Sequence, residues 1–208
     1  MLKVGLTGSI AVGKSYVCSV FRDLGCHVLD ADLAAREVVR KGEAGLEKIR
    51  IEFGDRFIRS DGELDRAKLA ETVFSDKSKL ELLNSIVHPL VFEYQDKWLN
   101  EIEARDPYGI AIIDAALMIE SGGYKRLDKL IVVYCDPEIQ LQRLMLRDSL
   151  SESDARRRIA SQMPQEEKKQ YADLVIDTSN GFEDTRRQTT EVFNSLTLFT
   201  KAEAARDN

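Results

Sequence analysis

Short unbroken apolar runs alternate with longer stretches in which apolar residues recur every three or four positions. Leu2 to Thr7 is one such run, closed by Gly8, and predicts a buried strand. Val17, Val20, Phe21 and Leu24 then fall at helical spacing between Gly13 and Leu24, and Gly25 ends that helix. Cys26-His27-Val28-Leu29 predicts a second strand, followed by Asp30-Ala31-Asp32. Asp32 is placed to cap a helix running through Arg40 and stopping near Gly42. Strand, loop, helix and strand in this order open a βαβ unit.

The pattern changes over residues 43–104, where no strand is convincing. Leu46, Ile49, Ile51 and Phe53, then Leu69, Val73 and Phe74, then Leu80, Leu82, Leu83, Ile86 and Val87 predict three helices. Ser60-Asp61-Gly62 marks a turn between the first two, and a further helix over Val91 to Ile102 follows a break at Pro89. Strand signals return at Gly109–Asp114, Leu130–Tyr134 and Leu174–Ile176. Pro137 opens a helix running to about Arg147, residues 148–171 are highly charged, Thr185 to about Phe199 is a closing helix, and the tail from Ala202 to Asn208 is expected to fray. The expectation is an α/β chain with five parallel strands, helices on both faces, a helical insertion and a polar lid.

Composition narrows the classes. The 208 residues are 43% hydrophobic and 32% charged, with a net charge of −6. That excludes low-complexity disorder and collagen, and argues against holding nucleic acid by bulk charge. Three cysteines without a CxxC pair fit reduced thiols better than a disulfide framework, and two histidines exclude a His-rich metal site. Met1 to Thr7 is too short a run for a signal peptide, and no apolar stretch approaches the roughly 20 residues of a membrane helix. A cytoplasmic protein without membrane, nucleic-acid or obligate protein partner is expected. His27 and Cys26 read as packing residues, and Trp98 as core.

The chemistry concentrates in Gly8-Ser9-Ile10-Ala11-Val12-Gly13-Lys14-Ser15, which fits G-x-x-x-x-G-K-[ST] with a strand before and a helix after. In that setting backbone N–H groups cradle phosphate oxygens, the helix adds its positive end, Lys14 is a point charge for the outer phosphates, and Ser15 offers a hydroxyl to Mg²⁺. A GTPase should carry an N-K-x-D reader, which is absent. A motor ATPase usually places Glu after the strand-ending carboxylate, whereas Asp114 is followed by Ala115. Transfer to another hydroxyl is therefore favoured over hydrolysis. Asp30 and Asp32 follow the second strand, where a carboxylate can take a proton from an acceptor hydroxyl or hold Mg²⁺; Asp32 can also be only a cap, and Asp30 reads as a supporting or capping group. Arg143 and Arg147, four apart, either clamp phosphates or form a solvated face.

These residues resemble the dephospho-coenzyme A kinase family. The likeness runs from Val4 to about Asn180: the phosphate loop, Asp30-Ala31-Asp32 with Arg36, Asp61-Gly62-Glu63-Leu64-Asp65-Arg66, His88-Pro89, Asp114 with Leu117 and Glu120, Gln140-Leu141-Gln142-Arg143 with Arg147, Gln162, and Ala172 to Asp177. It implies a P-loop kinase-like three-layer fold over 1–208, with an acceptor-binding insertion at about 33–104 and a lid at about 148–171. It implies ATP-dependent phosphorylation of the ribose 3′-hydroxyl of dephospho-coenzyme A, the last step of coenzyme A synthesis. By the same likeness Lys14, Asp32, Arg143 and Arg147 would be catalytic, with Asp32 as general base. Gly8 to Tyr16 with the two arginines would bind ATP. Thr7, Asp32, Arg36, His88, Leu117 and Glu120 would meet the acceptor, and Ser15 and Asp32 would hold Mg²⁺. Ser9 and Ala11 stand where the family usually has glycine, so a conventional dihedral is expected at Ala11. Ala116 replaces a common proline, and Thr178 and Asn180 replace the usual Asn and Gly.

Overall fold

The structure is a computed structural model that describes residues 1–204; residues 205–208 of the expected tail, and the side chains of Phe74 and of residues 201–204, lie outside it. Strand β1 (Leu2–Thr7) leads to helix α1 (Lys14–Asp23) and strand β2 (His27–Asp30). Helices α2 (Ala31–Glu37), α3 (Ala44–Phe53), α4 (Arg66–Phe74) and α5 (Lys77–Arg105) follow. Strands β3 (Ile110–Asp114) and β4 (Lys129–Tyr134) resume the sheet. Helices α6 (Pro137–Asp148), α7 (Glu152–Ala160) and α8 (Gln165–Lys169), strand β5 (Leu174–Asp177) and helix α9 (Gly181–Ala204) complete the chain.

The contacts divide the chain into two compact units, Asp30–Asn100 and the remainder. In the first of these to start, a five-stranded sheet runs in the order β2-β3-β1-β4-β5. Its central strand pairs in parallel with β3, Leu6 beside Asp114, and with β4, Thr7 beside Val132. Unbroken apolar runs suit strands covered on both faces. Leu6, Ile112, Ile131 and Ile176 from the sheet pack with Phe21 of α1 and Leu196 of α9, all fully buried. Each such side chain contributes about 1.5–3 kcal/mol of hydrophobic free energy. The register brings Asp114 level with the end of β1, which is where the phosphate loop begins.

The other unit is helical. Ala34, Ile49, Phe57, Leu69 and Val73 form its core. The turn at Ser60-Asp61-Gly62 is present, with Ile58 and Leu64 bridged in antiparallel fashion and Gly62 at φ 85°. Pro89 does not break the chain into two helices as expected, because α5 continues through it. The proline forfeits the hydrogen bond to the Ser85 carbonyl and crowds it, costing about 3 kcal/mol. Ile86 and Val91 on either side are buried in the unit's core, and that burial offsets the loss. The closing helix is also longer than expected, its backbone being helical to Ala204.

Two further expectations are corrected. Asp30, not Asp32, caps α2: its carboxylate accepts from the Asp32 and Leu33 amides at 2.8 and 3.3 Å, and the helix ends at Glu37. Asp30 holds extended dihedrals, as a capping residue must, while Asp32 sits inside the first turn, where negative charge complements the helix dipole. His27 is more than a packing residue, since its Nε2 lies 3.0 Å from Asp106 Oδ2. Asp30→Ala is expected to lower the free energy of urea unfolding by about 1 kcal/mol, whereas Asp30→Asn, an equally good cap, should retain most of it.

Candidate active site

The bend joining β1 to α1 is shaped by three backbone constraints. Gly13 is left-handed at φ 87°. Ala11 is left-handed as well, at φ 61°, so the expected conventional dihedral is not adopted. A Cβ at Gly8 would lie 2.4 Å from the Val133 carbonyl oxygen, so no side chain fits there. No side chain caps the N-terminus of α1. Its first-turn N–H groups and positive dipole end therefore face outward, as an anion site requires.

The rest of the loop is held by residues distant in sequence. The Ile10 amide donates to Gln162 Oε1 at 2.7 Å, and Gln140 Nε2 donates to the Ile10 carbonyl at 2.8 Å. Ser9 Oγ donates to the Met163 carbonyl, and Thr178 Oγ1 donates to the Val12 carbonyl at 2.8 Å. Ile10 thus has both backbone groups engaged by the protein, which leaves phosphate contact to the amides further along the loop. Gln165 joins the same network, bonding Gln140 Oε1 and the Cys135 amide.

Lys14 Nζ lies 2.7 Å from Asp114 Oδ1, both side chains being largely buried. The Cys18 thiol reaches the same carboxylate; burial first, and then the Asp114 charge, push its pKa far up, so it remains a thiol. Asp114 had no role assigned from sequence, although a carboxylate ending the strand beside β1 is the signal that marks it. Ser15 is exposed at the start of α1. Among the described residues no group of three or more His, Cys, Asp or Glu is arranged to hold a metal. Mg²⁺ does not need one, since it takes most ligands from phosphates and water and one or two from the protein. Ser15, next to Lys14 at the exposed start of α1, fits that requirement.

Arg143 and Arg147 share a helix face but differ in what they hold. Arg143 donates from both terminal nitrogens to Thr178, at 2.8 Å to Oγ1 and 2.8 Å to the carbonyl. Arg147 pairs with Asp148 at 2.8 Å and is more exposed. In the charged segment, Arg156, Arg157 and Arg158 are all solvent-facing and ion-paired. Lys168 is the exception: fully buried, its Nζ donates to the Ala116 carbonyl at 2.7 Å and pairs with Glu120 at 2.9 Å. Thr7, also fully buried, donates to the same Ala116 carbonyl. Thr7 and Glu120 therefore fix the segment that presents exposed Leu117. Asp32 and Arg36 are exposed on α2, and His88 is half-buried on α5, in the helical unit. Burial lowers the His88 pKa below its ordinary value, which favours the neutral ring.

Beside the loop lies a cavity of about 320 Å³ lined by Gly13, Tyr16, Arg143, Thr178, Gly181, Phe182 and Thr185. Phe182 is 73% exposed and meets the Tyr16 ring edge-on at 4.7 Å between centroids.

The profile of the dephospho-CoA kinase family matches residues 2–184. The chain belongs to that family. A dephospho-CoA kinase from Geobacillus kaustophilus is 46% identical over 189 residues, covering 90% of this chain and 92% of its own. Among solved structures, TT1252 from Thermus thermophilus is 32% identical with a TM-score of 0.80, over 94% of this chain and 97% of that one. A dephospho-CoA kinase from Campylobacter jejuni is 30% identical with a TM-score of 0.71, over 93% and 96%. The sheet with its phosphate loop is thus the P-loop kinase-like fold, and the family is one of phosphotransferases.

Within this member of the dephospho-CoA kinase family, Thr178 is the joint between loop, arginine and β5. Thr178→Val keeps the shape but leaves the Val12 carbonyl without its donor and Arg143 without one acceptor. Thermal or urea unfolding should show a loss of about 1–3 kcal/mol.

Proposed function

We propose that the chain transfers the γ-phosphoryl group of Mg·ATP to the ribose 3′-hydroxyl of dephospho-coenzyme A, the last step of coenzyme A synthesis, in the cytoplasm. The observation that carries this reading is the Lys14–Asp114 pair at the uncapped start of α1, in a chain of this family. Three buried, unpaired thiols suit the reducing compartment. No helix among the described residues is long and apolar enough to cross a membrane.

Lys14 exchanges Asp114 for the outer phosphates, and the amides from Ala11 to Ser15 and Tyr16 surround them. Ser15, with Asp32, would hold Mg²⁺, which when bound neutralises charge on the phosphates. Asp32 accepts the proton of the acceptor hydroxyl as its oxygen bonds to phosphorus and ADP leaves with the bridging oxygen. Asp32 is suited to this by its exposed place in the first turn after β2. Arg143 and Arg147 stabilise the transferring group, Arg147 by giving up its surface pairing with Asp148. Arg36, His88 and Leu117 are our candidates for acceptor contact, with Thr7 and Glu120, which fix the segment that bears Leu117. A neutral His88 contributes hydrogen bonding instead of charge.

An ADP-release assay run across dephospho-coenzyme A, nucleosides and sugars tests the acceptor. Turnover is expected with dephospho-coenzyme A, with nucleosides and sugars at background. ATP binding with no acceptor-dependent release would instead mark a nucleotide-binding module. Asp32→Asn should preserve ATP affinity while turnover falls by about 10²–10⁴, the usual worth of a positioned base; unchanged turnover would remove Asp32 from that role.

A further inference from the structure

Lys168 places a charge where an apolar side chain would pack as well. It is fully buried on α8, and its ammonium meets three acceptors: the Ala116 carbonyl at 2.7 Å and the two Glu120 oxygens at 2.9 and 3.1 Å. Its three N–H donors are thereby satisfied. Replacing a buried ion pair by apolar residues is often neutral or stabilising, so stability of the fold does not by itself account for this lysine. Its partners do. Ala116 and Glu120 bracket the turn that follows β3, in which Met118 and Ile119 are buried and Leu117 is exposed. That turn has neither a strand ladder nor an α-helix to hold it in place.

The same contacts close a ring. Glu120 Oε1 accepts from the Met163 amide at 3.3 Å, and the Met163 carbonyl accepts from Ser9 Oγ at 3.2 Å. Two residues before Ser9, Thr7 Oγ1 donates to the Ala116 carbonyl at 3.2 Å, which returns the path to Lys168. The ring joins the first residues of the phosphate loop to the turn that bears Leu117, and Lys168 is its member that grips the turn at both ends. The bonds from Gln140 to Ile10 and from Thr178 to Val12 hold the loop without passing through it.

We propose that Lys168 is a positioning residue for phosphoryl transfer: it fixes the turn after β3 against the phosphate loop, so that an acceptor held by that turn stands in register with the bound phosphates. It acts through Ala116 and Glu120 and touches no reacting atom. This rests on the reading of Leu117 as an acceptor contact. Loss of the ammonium loosens the acceptor side and leaves the phosphate side as it was.

Lys168→Met in the full chain, followed by amide hydrogen exchange and steady-state kinetics, tests this. The Ser121 and Gly122 amides donate to the Leu117 and Ile119 carbonyls, and their exchange should quicken by about tenfold while α1 exchanges as in the parent. The KM for dephospho-coenzyme A should rise by about tenfold, with the KM for ATP within about twofold of the parent's. Lys169→Met, the next residue along and paired with Glu166 at the surface, should change neither. A merely structural lysine would speed exchange throughout the chain, or lower kcat with both KM values unchanged. Either result overturns the proposal, as does a KM for ATP that rises with the acceptor's. If Lys168→Met does not fold, Lys168→Gln, which keeps an N–H donor, is judged by the same two readouts. Should the parent release no ADP with dephospho-coenzyme A, the acceptor reading falls alone, and hydrogen exchange still decides whether Lys168 holds the turn.

Discussion

The structure turns on a bend that must point backbone N–H groups at an anion. Such a bend cannot be made from ordinary dihedrals, because successive amides converge only when left-handed and right-handed residues alternate. Gly13 supplies one left-handed position without strain, and Gly8 lets the chain pass against the Val133 carbonyl. The parallel sheet supplies the rest: β1 at its centre delivers the bend between Asp114 and β4, so a carboxylate is waiting where Lys14 emerges. Charge, helix dipole and amides then act on the same point.

Most of that was legible along the chain. Apolar runs mark buried strands, and a glycine-rich motif between a strand and a helix has one physical reading. Asp114 was visible as a strand end, although its role depends on β3 lying next to β1, which a sequence pattern does not order. Pro89 was misread because its local cost, though real, is outweighed by burial of Ile86 and Val91 against residues far away in sequence. Asp30 and Asp32 are two positions apart and both are good caps, so only the dihedrals at Asp30 separate cap from first turn.

The roles of the side chains that hold the loop and the segment after β3 were not legible, for a common reason. Gln140, Gln162 and Lys168 sit in amphipathic or charged stretches where the bland expectation is solvent. Each is recruited by a partner more than 40 residues away: Ile10 for both glutamines, and Ala116 with Glu120 for Lys168. A buried ammonium bound to a carbonyl and a carboxylate has the satisfied geometry that burial of charge demands. Nothing in a run of Glu and Lys announces which member will turn inward.

Ala11 shows how loop and arginine helix are coupled. A left-handed alanine costs on the order of 1–2 kcal/mol, which glycine would avoid. The methyl group is not idle, since Ala11 and Ile10 pack against Leu141 and Leu144 of α6 and Ala155 of α7. Those contacts can offset the strain only while the two helices stay against the loop. Glycine at that position would relax the dihedral but lose the contact, so the bend would be less firmly joined to the helix that carries Arg143. The Gln140 bond to the Ile10 carbonyl reinforces the same join from the same helix. Strain at one loop residue and packing of a neighbouring helix are therefore one balance: the bend keeps its phosphate-binding shape because α6 is seated on it, and α6 in turn fixes where Arg143 emerges.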